Sequence, residues 1–254
     1  MHPPPDDAGT SDAELAAELA ETAGRMLLGI RARVGTELSA YAARDEGDLA
    51  SHHLLVKALA AARPGDAVLS EEGADDFARL DARRVWIVDP LDGTREFGEP
   101  PRDDWAVHVA LVEDGELIAG AVALPARGLV LASHRPLPLK APGDPPRLVV
   151  SRTRPPAFTE AVRKALGGVL VPMGSAGAKA MAVVLGEADV YAHGGGQYEW
   201  DSAAPVAVAA ACGLHVSRLD GSPLRYNQPD PWLPDLLICR RELADTVLGV
   251  LARR

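Results

Sequence analysis

The 254-residue chain is poor in aromatic residues, at 4%, and has only two cysteines. Two cysteines cannot form the disulfide framework of a small secreted domain, so we expect Cys212 and Cys239 to be reduced thiols. No window approaches the roughly 18 consecutive apolar residues that a membrane span needs. The N-terminal sequence MHPPPDDAGT lacks the basic and apolar segments of a signal peptide. These absences predict a cytoplasmic protein without a membrane partner.

Basic charge is scarce as well. Lys and Arg together number 26 against 36 Asp and Glu, which gives a formal net charge of −10 at pH 7. Nucleic acids and anionic lipids need a basic face, so neither is expected as the main partner. The same charge would repel a phosphorylated metabolite unless bound divalent cations reverse the local field. Clustered acidic residues are therefore the features to look for.

The remaining composition, 47% hydrophobic and 24% charged, is typical of a globular protein. Residues 1–10 are predicted to be a disordered tail. Residues 11–135 begin with two helices, the second predicted from Glu46 to Ala62, and continue with a mainly antiparallel sheet. After the proline-rich stretch 134–147, strands and helices alternate over residues 147–254. The pattern predicts an α+β half followed by an α/β half, in two layered sub-domains.

The segment WIVDPLDGT carries the richest chemistry. An apolar strand runs into Asp89 and Asp92, and the adjacent proline and glycine allow a tight turn on which the two carboxylates converge. At about 4 Å, two carboxylates repel by several kcal/mol at an effective dielectric of about 20, so a cation should lie between them. Oxygen ligands select a hard ion, and Mg²⁺ is the expected one. Gly93 and Thr94 would open the next helix, whose free N–H groups favour a phosphate. The alternative is an acidic turn with a capping aspartate.

Three further segments, each taken alone, are explained by common structural roles that need no catalytic function. Glu71 and Glu72 follow a short apolar strand, and such a pair is usually a solvated loop. Asp201, in the sequence EWDSAA, has the position of a helix N-cap. Residues 193–197, with the sequence HGGGQ, are predicted to be a flexible loop beside the substrate.

Taken together, in this order and at these spacings, SEE, DPLDGT and WDxAA resemble the inositol monophosphatase-like superfamily of Mg²⁺-dependent, lithium-sensitive phosphatases. Within it, the segments VLSEE, GTREF and VSRTR are similar to the CysQ-type branch, the 3′(2′),5′-bisphosphate nucleotidases. The resemblance covers nearly the whole chain from about residue 12. It implies a layered αβαβα sandwich and a homodimer.

The resemblance also implies a set of metal ligands. Glu71, Asp89 and the backbone carbonyl of Leu91 would hold one ion. Asp89, Asp92 and Asp201 would hold a second, in a site of two or three Mg²⁺ ions. Such ions would leave the pocket neutral or positive, which resolves the conflict between an acidic chain and an anionic substrate.

Water and substrate contacts follow from the same resemblance. Glu71 and Thr94 would orient the attacking water, and Asp48 would support Thr94. The residues expected to contact the substrate are Glu71, Asp92, Gly93, Thr94, Arg152, Arg154, Ser175, Lys179 and Asp201.

The activity implied by the resemblance is removal of the 3′-phosphate of adenosine 3′,5′-bisphosphate (PAP) to give AMP, in sulfur assimilation. The sulfated analogue, PAPS, is the expected second substrate. Arg152 and Arg154 favour a nucleotide bisphosphate, because a guanidinium suits both a phosphate and an aromatic face. An inositol monophosphatase or fructose-1,6-bisphosphatase is the alternative. A non-catalytic phospholigand-binding protein is a distant one, since binding alone would tolerate loss of the water-orienting threonine.

Overall fold

The computed structural model describes residues 10–75 and 77–253. Residues 1–9 of the predicted tail lie outside the described part of the chain. The helices are α1 (Asp12–Arg31), α2 (Ala40–Ala62), α3 (Thr94–Phe97), α4 (Thr159–Leu166), α5 (Ala176–Val184), α6 (Glu199–Ala211) and α7 (Arg241–Leu251). The first sheet contains β1 (Ala67–Ser70), β2 (Arg84–Asp92), β3 (Ala106–Glu113), β4 (Glu116–Leu124) and β5 (Leu129–Ala132). The second contains β6 (Arg147–Ser151), β7 (Val169–Met173), β8 (Val190–Tyr198), β9 (His215–Ser217) and β10 (Trp232–Cys239).

Capping side chains determine where the first two helices begin. At α1, the Ser11 hydroxyl accepts from the Glu14 N–H, and the Glu14 carboxylate accepts from the Ser11 N–H at 3.0 Å, which completes the predicted capping box. The start predicted for α2 at Glu46 is wrong. The helix begins at Ala40 instead, because Ser39 caps it by accepting from the Ala42 N–H at 3.1 Å.

The first sheet has the strand order β1-β2-β3-β4-β5, with a parallel β1–β2 pair and antiparallel pairs elsewhere. The predicted hairpin between β3 and β4 is present, and its turn places Asp114 and Gly115 at positive φ. Side chains alternate between the two faces of β2. Trp86 and Val88 pack against α1 and α2, whereas Val85 and Ile87 pack toward α5 and α6.

The second sheet has the order β7-β6-β8-β10-β9. The prediction of a flexible loop at residues 193–197 is wrong, because this segment is the second half of β8 and pairs with β10. A register shift between Leu233 and Asp235 accommodates Gly195, which lies at φ +114°. The glycines therefore form a bulged strand.

Five layers result from these contacts. Helices α1 and α2 cover one face of the first sheet, α5 and α6 lie between the two sheets, and α4 and α7 cover the outer face of the second. This is the expected αβαβα sandwich. Because α6 packs against both sheets, the division into sub-domains at residues 134–147 stays a prediction. None of the described helices is both long and apolar enough to cross a membrane.

Candidate active site

A β-bulge brings the first two aspartates together. Asp89 pairs with His108 and Asp92 pairs with Ala106. Two residues of β2, Pro90 and Leu91, therefore lie opposite the single residue Val107 of β3. Pro90 lies within this irregular stretch, where proline, which has no N–H to donate to the ladder, is tolerated. The predicted turn is thus a continuation of β2, and its irregularity turns both carboxylates toward one point.

Asp201 completes a cluster of three carboxylates. Oxygen atoms of Asp89, Asp92 and Asp201 lie within 4.8 Å of one another. Asp201 is not the N-cap that its sequence position predicted. It lies in the first turn of α6, which begins at Glu199, and its Oδ2 accepts from the Tyr198 N–H at 2.7 Å.

The cluster is electrostatically unfavourable without a cation. Burial, followed by repulsion from Glu71, Asp92 and Asp201, raises the pKa of Asp89 well above its ordinary value. Burial and the charge of Asp92 raise the pKa of Asp201 to about 6. An oxygen-only donor set in which carboxylates repel one another fits a hard divalent cation. The described residues therefore suit the predicted metal site.

Asp92 connects the two sheets. Its carboxylate accepts from the Ala176 N–H at 3.0 Å and the Gly177 N–H at 2.6 Å, at the first turn of α5. The Ser175 hydroxyl donates to the same carboxylate. Burial alone would raise the pKa of Asp92, but contacts with His108, Lys179 and Ser175 lower it below its ordinary range. Asp92 thus stays ionised, and its Oδ1, which accepts only from the Ala176 N–H, keeps a lone pair for a cation.

His108 is a site residue that the sequence analysis missed. The ring is fully buried, its Nε2 lies 3.3 Å from Asp92 Oδ2, and its Nδ1 lies 3.0 Å from the Trp200 carbonyl oxygen. Burial lowers the pKa of His108, but the contact with Asp92 outweighs it and raises the pKa above its ordinary value. The ring therefore bridges two of the motifs. A lone histidine in an apolar strand gives no signal of this role.

Glu71, Asp48 and Thr94 lie beside the carboxylate cluster. Glu71 is exposed as a residue, yet loss of water around its carboxylate, followed by repulsion from Asp201 and Asp48, raises its pKa to about 7. Burial and repulsion from Glu72 raise the pKa of Asp48 to about 7, and a hydrogen bond with Thr94 opposes the shift. The structure thus brings the predicted water-orienting residues together.

Thr94 and Gly93 occupy the turn that follows the aspartates. The Thr94 hydroxyl donates to the Leu91 carbonyl at 3.1 Å, so the carbonyl predicted as a metal ligand keeps one free lone pair. Gly93 is at φ +83°, and a Cβ there would lie 2.9 Å from Ser175 Cβ. Helix α3 opens at Thr94 as predicted, but it has only four residues.

A buried network ties the loop after β1 to the start of α6. Arg79 is 2% exposed and donates to Asn227 Oδ1 at 2.7 Å. The Asn227 N–H in turn donates to the buried carboxylate of Glu199 at 2.6 Å. The network thus fixes the turn that contains Arg79 against Glu199, which lies two residues before Asp201 in α6. The sequence analysis did not identify these residues as part of the site, because residue type alone does not show which charged side chains pair with one another.

The acidic cluster opens into a pocket of about 590 Å³. The expected substrate contacts that line it are Asp92, Gly93, Thr94, Arg152, Arg154, Ser175, Lys179 and Asp201. Glu71, also expected to contact the substrate, is not among the lining residues.

Four lysine and arginine side chains line this pocket, and the three that were expected to contact the substrate differ in their partners. Lys179 is buried, and its ammonium donates to the Gly174 carbonyl at 3.2 Å and to the Ser175 carbonyl, while burial lowers its pKa. Arg152 is paired with Glu96 at 2.6 Å and with Glu99 at 2.9 Å. Arg154 is exposed and forms no ion pair with the described residues. Arg154 is therefore, of the three expected substrate contacts, the basic side chain most available to an anion, and Arg95 at the same pocket is likewise exposed and without an ion pair to the described residues.

We expect the metal-free protein to lose stability as the pH rises from about 5 to about 8. Glu71 and Asp48, with pKa values of about 7, and Asp201, with a pKa of about 6, bind more protons when folded than when unfolded. Mg²⁺ binds the deprotonated carboxylates, so its stabilising effect should grow over the same range. Thermal unfolding in chelator and in Mg²⁺ at several pH values measures both trends. A metal effect that shrinks with rising pH would contradict this electrostatic description.

Comparisons with known proteins agree with this geometry. The inositol monophosphatase family profile matches residues 11–248. A Mycobacterium tuberculosis protein named 3′-phosphoadenosine 5′-phosphate phosphatase is 54% identical over 240 residues, covering 91% of this chain and 89% of that protein. The 3′(2′),5′-bisphosphate nucleotidase CysQ of Escherichia coli is 31% identical over 198 residues, covering 73% and 80% of the two chains.

A solved structure shows the same fold. The crystal structure of CysQ from Bacteroides thetaiotaomicron, a bacterial member of the inositol monophosphatase family, superimposes with a TM-score of 0.76 at 28% identity. The match covers 92% of this chain and 98% of that one. The resemblance predicted from the motifs is confirmed, and the chain belongs to the inositol monophosphatase family.

Proposed function

We propose that this protein is a Mg²⁺-dependent phosphomonoesterase that removes the 3′-phosphate of PAP, giving AMP and phosphate, and that also accepts PAPS. The observation that carries the proposal is the convergence of the DPLDGT and WDxAA motifs on one carboxylate cluster beside a pocket. The 54% identity to proteins named 3′-phosphoadenosine 5′-phosphate phosphatase supports the choice of substrate. The cytoplasmic location and the homodimer stay predictions.

In this proposal Glu71, Asp89, Asp92, Asp201 and the Leu91 carbonyl hold the metal ions. Bound Mg²⁺ would lower the pKa of a water molecule and neutralise charge on the phosphate.

The chain's own groups orient the water that attacks phosphorus. The Thr94 hydroxyl donates its single proton to the Leu91 carbonyl, so an oxygen lone pair of Thr94 is free to accept from the water. Glu71, with a pKa near 7 in the metal-free protein, is suited to accept a second hydrogen bond from it. Hydrolysis breaks the bond between phosphorus and the ribose 3′ oxygen, and that oxygen gains a proton.

Comparison of three substrates tests the proposal. We expect kcat/KM for PAP to exceed that for inositol 1-phosphate and for fructose 1,6-bisphosphate by at least about tenfold, because only PAP offers both a base and a second phosphate. All three activities should disappear in chelator and return with Mg²⁺. Equal efficiency on the three substrates would favour the inositol or sugar phosphatase alternative. Binding without any hydrolysis would favour the phospholigand-binding alternative.

Arg152 and Arg154 should respond differently to replacement by alanine. Arg154→Ala should lower kcat/KM for PAP relative to inositol 1-phosphate about tenfold, since a charge-assisted hydrogen bond contributes about 1.5–3 kcal/mol. Arg152→Ala leaves Glu96 and Glu99 without their partner, so it should lower the melting temperature and the activity on both substrates. Steady-state kinetics and thermal unfolding of both variants measure this. If only Arg152→Ala lost PAP activity selectively, Arg152 and not Arg154 would be the arginine that recognises PAP.

Lithium inhibition is the remaining expectation from the family resemblance. Li⁺ should replace one Mg²⁺ in the oxygen-lined cluster and inhibit at roughly millimolar concentration, in an uncompetitive or mixed manner against PAP. Initial rates over a matrix of Li⁺ and PAP concentrations test it. Full Mg²⁺ dependence without any effect of Li⁺ would remove this expectation and leave the enzyme class unchanged.

A further inference from the structure

Three aromatic side chains lie together beside the pocket, in a chain with 4% aromatic residues. The rings of Tyr198 and Trp200 are stacked, with centroids 4.7 Å apart and planes inclined by 10°. Trp232 is paired with Tyr198 across β10 and β8, so both side chains stand on the same face of the sheet. Tyr198 is 45% exposed and Trp232 is 50% exposed. Exposed aromatic surface gathered in one place indicates a contact with a ligand or partner.

The backbone fixes this aromatic cluster relative to the catalytic groups. The Tyr198 N–H donates to Asp201, and Tyr198 lines the same pocket as Asp92 and Thr94. Gly196, at φ +88°, lets the Trp232 indole pack on the strand, because a Cβ there would lie 2.6 Å from the indole nitrogen. Gly196 thus makes room for Trp232, and Tyr198 borders the same cavity as the carboxylates of Asp92 and Asp201.

We infer that Tyr198, backed by Trp200, is the surface on which the purine base of the substrate stacks. This inference rests on the proposed function and assigns the residues that recognise its nucleoside part. A base has a flat π face, whereas inositol and fructose phosphates have none, so stacking separates these substrate classes. One face of the Tyr198 ring lies on Trp200, and its exposed surface borders the pocket. Trp232 lies next to Tyr198 on the same face of the sheet.

The first test compares substrates in two Tyr198 variants. Tyr198→Ala should lower the ratio of kcat/KM for PAP to that for inositol 1-phosphate about tenfold, mainly through KM for PAP. Tyr198→Phe keeps the ring and should restore the ratio. The alanine variant retains the backbone N–H that Asp201 accepts, so the metal cluster keeps this hydrogen bond. Tyr41→Ala, which removes a tyrosine that is 72% exposed on α2, is the matched control and should leave the ratio unchanged.

The second test measures AMP binding without hydrolysis. Calorimetric titration of the Mg²⁺-loaded enzyme should show about tenfold weaker AMP binding in Tyr198→Ala than in wild type. Equal AMP affinity in both proteins, or an equal loss of activity on PAP and inositol 1-phosphate, would overturn the stacking assignment. A wild type that prefers inositol 1-phosphate would overturn the proposed function instead, and the AMP titration would still decide the role of Tyr198.

Discussion

Asp89→Asn should abolish metal-dependent phosphatase activity, lowering kcat by about a thousandfold or more, which corresponds to about 4 kcal/mol of transition-state stabilisation. Asp89 is 1% exposed, and its carboxylate oxygens lie within 4.8 Å of those of Asp92 and Asp201. In the proposed site it is also the carboxylate shared by two metal ions. Rates measured over a range of Mg²⁺ concentrations, for wild type and variant, test this expectation.

The same substitution should raise the melting temperature of the metal-free protein. Burial and like-charge neighbours raise the pKa of Asp89, so its ionised form destabilises the fold. Asp189→Asn is the matched control, because Asp189 is equally buried but accepts from Arg240 at 3.0 Å and Arg147 at 3.1 Å. That variant should lose stability without changing its Mg²⁺ requirement. Near-wild-type turnover in Asp89→Asn would remove the metal assignment.

Thr94→Ala should lower kcat about a hundredfold or more while KM changes little. The hydroxyl lies between the Leu91 carbonyl and Asp48, where it orients the attacking water in the proposed mechanism. A water held in position contributes mainly in the transition state, so its loss appears in kcat. Steady-state kinetics on PAP at saturating Mg²⁺ measure the two constants separately.

Thr94→Ser is the control for this prediction. It keeps the hydroxyl and loses only a methyl group, so most of the turnover should return. A variant series in which KM rises and kcat holds would show that Thr94 binds substrate and does not orient water. A serine variant as slow as the alanine variant would show that the methyl group, through packing, matters more than the hydroxyl.

Local features of this protein were predictable because neighbouring residues along the chain decide them. The capping box at Ser11, the β3–β4 hairpin and the opening of α3 after Gly93 each depend on residues within a few positions. Predictions failed where a second local signal, or a partner distant along the chain, outweighs the first. Ser39 starts α2 earlier than the apolar pattern indicates, and the glycines of β8 form a strand because β10 supplies the pairing partners.

In the active site, too, features that depend on neighbouring residues were predictable and features that depend on distant residues were not. The DPLDGT turn predicted that Asp89 and Asp92 converge, the family resemblance implied that Asp201 joins them, and the structure brings the three together. What the sequence could not provide are partners distant along the chain. His108 meets the Trp200 carbonyl 92 positions away, and Arg152 meets Glu96 56 positions away.

Residue type and motif position by themselves determined the family, the carboxylate cluster and the layered fold of this protein. Only the tertiary structure decided which charges are neutralised and which face the pocket. Arg152 and Arg154 are alike in sequence, but Arg152 is held by two carboxylates and Arg154 is not. The physical reason is that local geometry follows from backbone preferences over a few residues, whereas the charge and exposure of a side chain depend on what the packing of remote elements places beside it.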